Sequence, residues 1–288
     1  MRDKNFGGYC LGEVIGGGRY TKVYKAYSFL AHPPYGNPVA IKILNLKAGI
    51  FEKSKLISQF EREAEIAMQL DHPNIVKVFN FGRFNRYYAM IMEYVDGKNL
   101  KEILYEREKF PFETIIKICY KAGKGLSYIH QHNIIHKDIK PDNILVSKNL
   151  EIVKITDFGI AKLPGKLWRK DIFPKGGTVT KFGIISYVAP EQEEGNATFQ
   201  SDIYSFGVTI DEVITSKLQI EGYNDEDYLK RINIRANKKN TGKTPIISYD
   251  LPIPDKLKKI IEKAINPDLN LRYSSMDELL ADMEEFIK

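Results

Sequence analysis

Asp138, Lys140 and Asn143 share one short run, Ile135-His136-Lys137-Asp138-Ile139-Lys140-Pro141-Asp142-Asn143. It gathers a carboxylate able to act as a base, a cation able to bind phosphate and an amide able to bind a metal ion. Together these groups suit phosphoryl transfer, in which an acceptor hydroxyl gives up its proton as the new P–O bond forms. Asp157, in Asp157-Phe158-Gly159, adds a second oxygen ligand of the kind a hard cation such as Mg²⁺ takes. Upstream, Lys42 ends the apolar run Val39-Ala40-Ile41-Lys42, where burying an ammonium is costly unless an anion meets it. Earlier still, Gly16-Gly17-Gly18 would let backbone amides approach a phosphate without interference from Cβ atoms. Singly, each residue reads as a local hydrogen-bonder in a turn; the ordered set carries the meaning.

That order, continued by Ala189-Pro190-Glu191, resembles the protein-kinase signature over nearly the whole chain. Lys140 after Asp138, followed by Pro141-Asp142-Asn143, resembles the Ser/Thr branch. His72-Pro73-Asn74-Ile75-Val76, Met92-Glu93-Tyr94-Val95-Asp96-Gly97 and Tyr187-Val188-Ala189-Pro190-Glu191-Gln192 are similar to the eukaryotic-like kinases of bacteria. The resemblance implies roles. Asp138 is the base, Lys140 neutralises the transferred phosphoryl group, and Asn143 and Asp157 hold the metal. Lys42 holds the α and β phosphates while paired with Glu63. Gly16 and Gly18 cover the phosphates. The adenine lies between Val23 and Ala40 on one side and Leu145 on the other, its edge read by backbone groups of Glu93 and Val95, with Met92 as gatekeeper. Glu191 pairs with Arg272, and Asp202 braces the loop that carries Asp138.

Three positions depart from the family pattern. Thr21 replaces the last glycine of the glycine-rich loop, Lys137 stands where arginine is usual, and Ile184 replaces a threonine whose hydroxyl usually bridges the base and Lys140. Thr178 or Thr180 is the expected site of autophosphorylation: both lie in the glycine-flanked run Lys175-Gly176-Gly177-Thr178-Val179-Thr180, which reads as flexible, and by resemblance Thr180 falls at the usual regulatory position. A phosphate there would find Lys137, a point charge where arginine offers a planar fork.

The elements that must position these groups follow from pattern. Short β-branched and aromatic runs at Cys10–Ile15, Lys22–Tyr27, Val39–Leu44, Ile75–Phe81 and Tyr88–Glu93 predict a five-stranded sheet. Leu56, Ile57, Phe60, Ala64, Ala67 and Leu70 recur at helical spacing between the third and fourth runs, with Ser54 as the cap. After Gly97 the pattern turns helical, at Glu113–His132, Asp202–Thr215, Asp255–Ile265 and Ser275–Ile287. The expected architecture is therefore α+β and bilobal: an ATP-binding lobe at 1–94, with an antiparallel five-stranded sheet and one helix, and a larger, mainly helical lobe at 95–288. Ala31 to Pro38 reads as a turn-rich insertion, and Ile220 to Pro254 as a polar excursion.

Bulk properties narrow the function classes. At 288 residues and 43% hydrophobic the chain can bury substantial cores. Its two cysteines, Cys10 and Cys119, suggest neither a disulfide framework nor a zinc site. Neither a signal peptide nor a run of roughly 20 apolar residues is legible, so a cytoplasmic protein, or the cytosolic part of a membrane receptor kinase, is expected. The net charge of +6 concentrates at Lys162–Lys181 and Arg231–Lys239, without interleaved aromatics. Solvated loops favouring an acidic or nucleotide partner are expected there, and no specific nucleic-acid or membrane binding. The leading expectation is a Ser/Thr protein kinase using ATP with Mg²⁺ or Mn²⁺ on protein substrates, self-associating for trans-autophosphorylation. A kinase-fold scaffold that binds nucleotide without turnover is the alternative.

Overall fold

The computed structural model describes residues 6–18, 20–45, 50–106, 109–159, 161, 177–180, 183–217 and 253–287. The chain divides into two compact units, Met1–Asp96 with Thr156–Ile160, and Gly97–Ile155 with Ala161–Lys288.

The first unit is built on strands β1 (Tyr9–Gly17), β2 (Thr21–Ser28), β3 (Val39–Leu44), β4 (Val78–Phe84) and β5 (Tyr87–Glu93), with helix α1 (Ile50–Met68) between β3 and β4. They form one antiparallel sheet in the order β1-β2-β3-β5-β4. Central β3 is buried along its whole length. Because side chains alternate across a strand, Val39, Ile41 and Ile43 share one face and pack with Phe6, Tyr9, Ala26, Ala89 and Ile91. Ala40 and Lys42 must then point the other way. On α1 the residues facing inward are Phe60, Glu63, Ala64 and Ala67, which places a carboxylate on a buried stripe.

Two expectations shift. Ser54 does not cap the helix, which begins four residues earlier at Ile50, because a polar residue can ride the exposed face of a running helix as well as open one. The fourth strand starts at Val78 rather than Ile75; Ile75 and Val76 are buried but sit in a turn closed by Ile75 N–H to His72 O (3.0 Å), so their apolar character reports burial and not strand. The Ala31–Pro38 segment is turn-rich, as expected, and it is anchored. Tyr9 Oη donates to Gly36 O (2.9 Å) and accepts from Tyr35 N–H (3.1 Å), and the Tyr35 ring stacks on Phe79.

The second unit begins with β6 (Gly97–Asn99), which joins β7 (Ile144–Ser147) and β8 (Val153–Ile155) in a small antiparallel sheet. Helices α2 (Leu100–Tyr105) and α3 (Phe112–Gln131) follow β6; α2 opens on an Asn99/Glu102 capping box. A two-stranded ribbon pairs β9 (Gly177–Thr180) with β10 (Gly183–Ser186). Then come α4 (Pro190–Glu193), α5 (Phe199–Lys217), α6 (Asp255–Ala264), α7 (Met276–Met283) and a closing 3₁₀ turn over Glu284–Phe286. The run Ser201–Thr215 of α5 is buried on all sides, which makes this helix the axis of the unit. At Gly207 a Cβ would come within 2.8 Å of Ala264 and Ile265, so only glycine lets α6 approach this closely. Cys119 is buried in α3, where burial pushes its thiol up to about 12, and both cysteines are free.

Of the threonine run expected to be flexible, Gly177–Thr180 form strand β9, and Lys175 and Gly176 lie outside the described residues. Most of the two basic stretches and residues 218–252, including most of the polar excursion, lie outside the described residues. Among the described residues, no helix is long and apolar enough to cross a membrane.

Candidate active site

In the first unit, Lys42 Nζ lies 2.5 Å from Glu63 Oε1 and 3.4 Å from Asp157 Oδ1. The lysine comes from β3, the glutamate from the buried stripe of α1, and the aspartate from the short segment Thr156–Ile160 that clusters with this unit. Burial pulls the Lys42 ammonium down, but the carboxylates of Asp157 and Glu63 outweigh it and hold it above its ordinary value. Burial pushes the Glu63 carboxyl up to about 7, against the pull of Lys42. Asp157 has φ +68, sparsely populated for a non-glycine residue. Its Oδ1 accepts from Gly159 N–H (3.3 Å), while Gln59 Nε2 donates to Gly159 O (3.0 Å), tying the segment to α1.

The glycine-rich turn joins β1 to β2, with Gly16 opposite Val23 and Gly17 opposite Lys22. Gly17 has φ +143, and a Cβ there would fall 2.5 Å from Thr21 O, whereas Gly16 faces open space. The strict steric need for glycine thus falls on the middle residue, not on Gly16 and Gly18. Thr21 has a use of its own: Gly18 N–H donates to Thr21 O (3.0 Å) and to its Oγ1 (3.3 Å). Ala40 is buried opposite Met92, and Val23, Met92, Glu93 and Val95 are half-buried. Glu93 N–H donates to Lys77 O (2.8 Å).

In the second unit, the loop between α3 and β7 is pinned by Ile134, Ile135 and Ile139, each nearly fully buried. Asp202, at the start of α5 and fully buried, accepts from His136 N–H and Lys137 N–H (both 2.7 Å) and bonds His130 Nε2 (3.0 Å). Lys137 sits at φ +70 and is 4% exposed, so its ammonium is not presented on the surface; Gln192 Nε2 donates to its carbonyl (2.8 Å). On this frame, Lys140 Nζ donates to both oxygens of Asp138 at 2.8 Å, and Asn143 Nδ2 donates to Asp138 O (2.8 Å) and Oδ2 (2.9 Å). Asn143 is fixed in a 3₁₀ turn over Pro141–Asn143. Leu145 is half-buried on β7. Asp138 and Lys140 stay about a quarter exposed.

Arg272 meets Glu191 in a bidentate pair (Nη1 to Oε1 2.8 Å, Nη2 to Oε2 3.3 Å). Ser201 Oγ also donates to Glu191 (2.7 Å). Burial would raise the Glu191 carboxyl, but the bonds from Arg272 and Ser201 hold it below its ordinary value. Thr178, Thr180 and Ile184 are placed by backbone alone, on β9 and β10, with Ile184 opposite Val179.

These parts have relatives. The model of the protein kinase domain matches residues 9–283. The chain belongs to the protein kinase family. It is 33% identical over 278 residues to a probable serine/threonine-protein kinase PknB of Lactococcus lactis, covering 96% of this chain and 41% of that protein. It is 32% identical over 280 residues to the serine/threonine-protein kinase PrkC of Bacillus subtilis (96% and 40%). Against the serine/threonine-protein kinase PknB of Mycobacterium tuberculosis it is 30% identical over 288 residues (96% and 42%). The kinase chain thus spans about two fifths of the length of the curated relatives it matches.

Sequence reasoning missed Gln59, Gln192 and His130, whose side chains hold the backbone or the carboxylate that positions the site. Gln192 follows Glu191 directly, but nothing in a glutamine's surroundings announces a backbone carbonyl as its partner. It also missed a buried cluster in which Glu212 accepts from Lys101 Nζ (3.1 Å) and from Tyr187 Oη.

Proposed function

We propose that this chain is the catalytic domain of a serine/threonine protein kinase, moving the γ-phosphoryl group of ATP to hydroxyls of protein substrates. The observation that carries the reading is Lys42, held between Glu63 and Asp157 by elements far apart in sequence. A buried ammonium with two carboxylates is costly to assemble for packing alone, and it leaves a cation poised for phosphate. The family uses ATP with a divalent metal, and the donor set here fits one: Asp157 is a half-exposed carboxylate, and Asn143, with Nδ2 spent on Asp138, keeps a carbonyl oxygen for a cation. Both are hard oxygen donors, which favours Mg²⁺, with Mn²⁺ as a substitute. The bound metal supplies neutralisation of phosphate charge.

The chain's own residues do the rest. Lys42 fixes the phosphates, and Gly16 to Gly18 bring backbone close to them. Asp138, held in place by Lys140 and Asn143, orients the acceptor hydroxyl and takes its proton. Lys140 screens the charge that develops on the phosphoryl group. Val23, Ala40 and Leu145 supply apolar contact for adenine, the backbone of Glu93 and Val95 reads its edge, and Met92 limits the pocket. Serine and threonine are the acceptors on two supports: Lys140 two residues after Asp138, and the naming of the relatives. Thr178 or Thr180 is the site of autophosphorylation between copies, and the setting is the cytoplasm or the cytosolic side of a receptor kinase.

Incubation with labelled MgATP, alone and with a generic protein acceptor, tests the reading. Phosphoserine or phosphothreonine on protein is the expected product. Nucleotide binding without transfer would replace the kinase with a scaffold, and phosphotyrosine would overturn the acceptor class.

A further inference from the structure

On β2, Lys25 lies directly opposite Ala40, and Val23 opposite Lys42. Directly opposed residues present their side chains on one face of a sheet, so Lys25 shares the face that carries Lys42 and Ala40. It is a cation-bearing position beside Lys42 on that face which phosphate binding does not use. Its Nζ lies 4.5 Å from the centroid of the Tyr94 ring and 5.6 Å from that of Tyr27, within reach of a cation–π contact. Glu13 Oε1 lies 4.0 Å from the same Nζ. This placement is built. Leu11 pairs with Ala26 and Val14 with Tyr24, so Gly12 and Glu13 together oppose Lys25 in a β-bulge. A bulge re-aims the side chain it carries. Gly12 permits it, since a Cβ there would sit 3.0 Å from Lys25 O.

Tyr94 is the point of interest. Glu93 is the last residue of β5 to pair, opposite Val39, and the chain from Tyr94 to Asp96 leaves the ladder. No strand partner fixes the backbone there. Two side-chain contacts bear on it: Lys25 over the Tyr94 ring, and Tyr94 Oη donating to Asp96 Oδ1 (3.2 Å). The backbone of Glu93 and Val95, on either side of Tyr94, is the part assigned above to the adenine edge.

We infer that Lys25, aimed by Glu13 and laid over Tyr94, is a positioning residue for nucleotide binding: it clamps the backbone after β5 in the register that meets the base. The inference rests on the kinase reading of this site. It leaves the transfer step to Asp138 and acts on affinity alone.

The test is ATP binding by titration calorimetry, together with the ATP concentration needed for half-maximal transfer. Lys25→Met keeps the aliphatic stem and should weaken ATP binding roughly three-fold, well beyond its effect on the rate at saturating ATP. Lys25→Arg should restore binding, because guanidinium also stacks on an aromatic face. Tyr94→Leu should match Lys25→Met, and the double variant should be no weaker than either, as expected for one shared contact. Unchanged ATP affinity in Lys25→Met, or independent addition of the two effects, overturns the clamp while the kinase reading stands. Failure of the unaltered chain to bind ATP takes both down.

Discussion

The two halves of the proposed phosphoryl-transfer machinery are held in opposite ways. Around Lys42 the chain uses charge in a dry place: the Lys42 and Glu63 side chains are 11% and 9% exposed. Around Asp138 it uses hydrogen bonds in a wet one: four short contacts from Lys140 and Asn143 converge on a residue that is about a quarter exposed. The contrast follows from the work. A phosphate-holding ammonium gains from low dielectric, where its field is least screened. A base must meet an acceptor arriving from solvent, so it is fixed by a rigid loop and stays open. Perturbing the first half should therefore disturb binding, protonation and stability together. Perturbing the second should change chemistry with little else.

The largest effects come from removing the two central groups. Asp138→Asn should lower transfer by orders of magnitude with ATP affinity and thermal stability almost unchanged, since the amide retains the size and loses the basicity. Near-normal turnover would remove Asp138 from the mechanism. Lys42→Met should lower transfer comparably but also weaken ATP binding. It strands Glu63, and breaking a buried pair costs about 3–5 kcal/mol, less here because Glu63 is already prone to take a proton. Calorimetry and thermal melts on the two variants, side by side, would show whether the halves differ as described.

A pH series sharpens the comparison. With Glu63 raised from 4.5 to about 7, acidification from pH 8 to 6 should protonate it, release the anion that fixes Lys42, and lower the transfer rate with an inflection near 7. Glu63→Gln should be slow and lack that inflection. Stability runs the other way. A folded-state pKa above the unfolded one means the folded chain binds the extra proton, so this group's contribution is full below about 4.5 and lost as pH rises through about 7. Activity and the Glu63 contribution to stability should thus move in opposite directions over one interval.

Legibility in the sequence divided along similar lines. Lys42 stood out because an ammonium is anomalous in an apolar strand, a physical anomaly that one residue and its neighbours reveal. Glu63 came through resemblance, and its place on the buried stripe with Phe60, Ala64 and Ala67 is a finding of the structure. The joining of Glu191 to Arg272 across the second unit came only through resemblance, since no local pattern connects residues that far apart. The three-residue strands β6 and β8 and the short α2 escaped because they are shorter than the periods that would announce them. That Thr156–Ile160 belongs with the first unit was equally hidden, because composition does not record which way a loop folds back.

Smaller effects concern the activation segment. We expect Thr178→Ala/Thr180→Ala to lower the rate of transfer several-fold less than removal of Asp138 does, with mass spectrometry finding phosphate on this segment only in the unaltered chain. Because Lys137 is buried with its backbone bonded to Asp202 and Gln192, a phosphate must draw its ammonium outward to pair with it, which limits the activation gained. Equal rates in the two chains, and no phosphate, would end phosphorylation control without touching catalysis.

The smallest expected change is at Ile184. The family's threonine places a hydroxyl between base and lysine, and its loss would be serious if Asp138 had no other support. Asp138 is instead held directly, by Lys140 on both oxygens and by Asn143 on Oδ2 and the main chain. A restored hydroxyl adds one bond to a group already fixed. A hydrogen bond nets about 0.5–1.5 kcal/mol where it is needed, and a redundant one falls at the low end, so Ile184→Thr should raise transfer roughly two-fold with ATP affinity unchanged. A much larger gain would show that the wet half is loosely held despite its bonds, and that the missing hydroxyl throttles this enzyme. A loss would mean that position 184 serves the protein acceptor through its apolar side chain, and that the departure from the family pattern is part of substrate recognition.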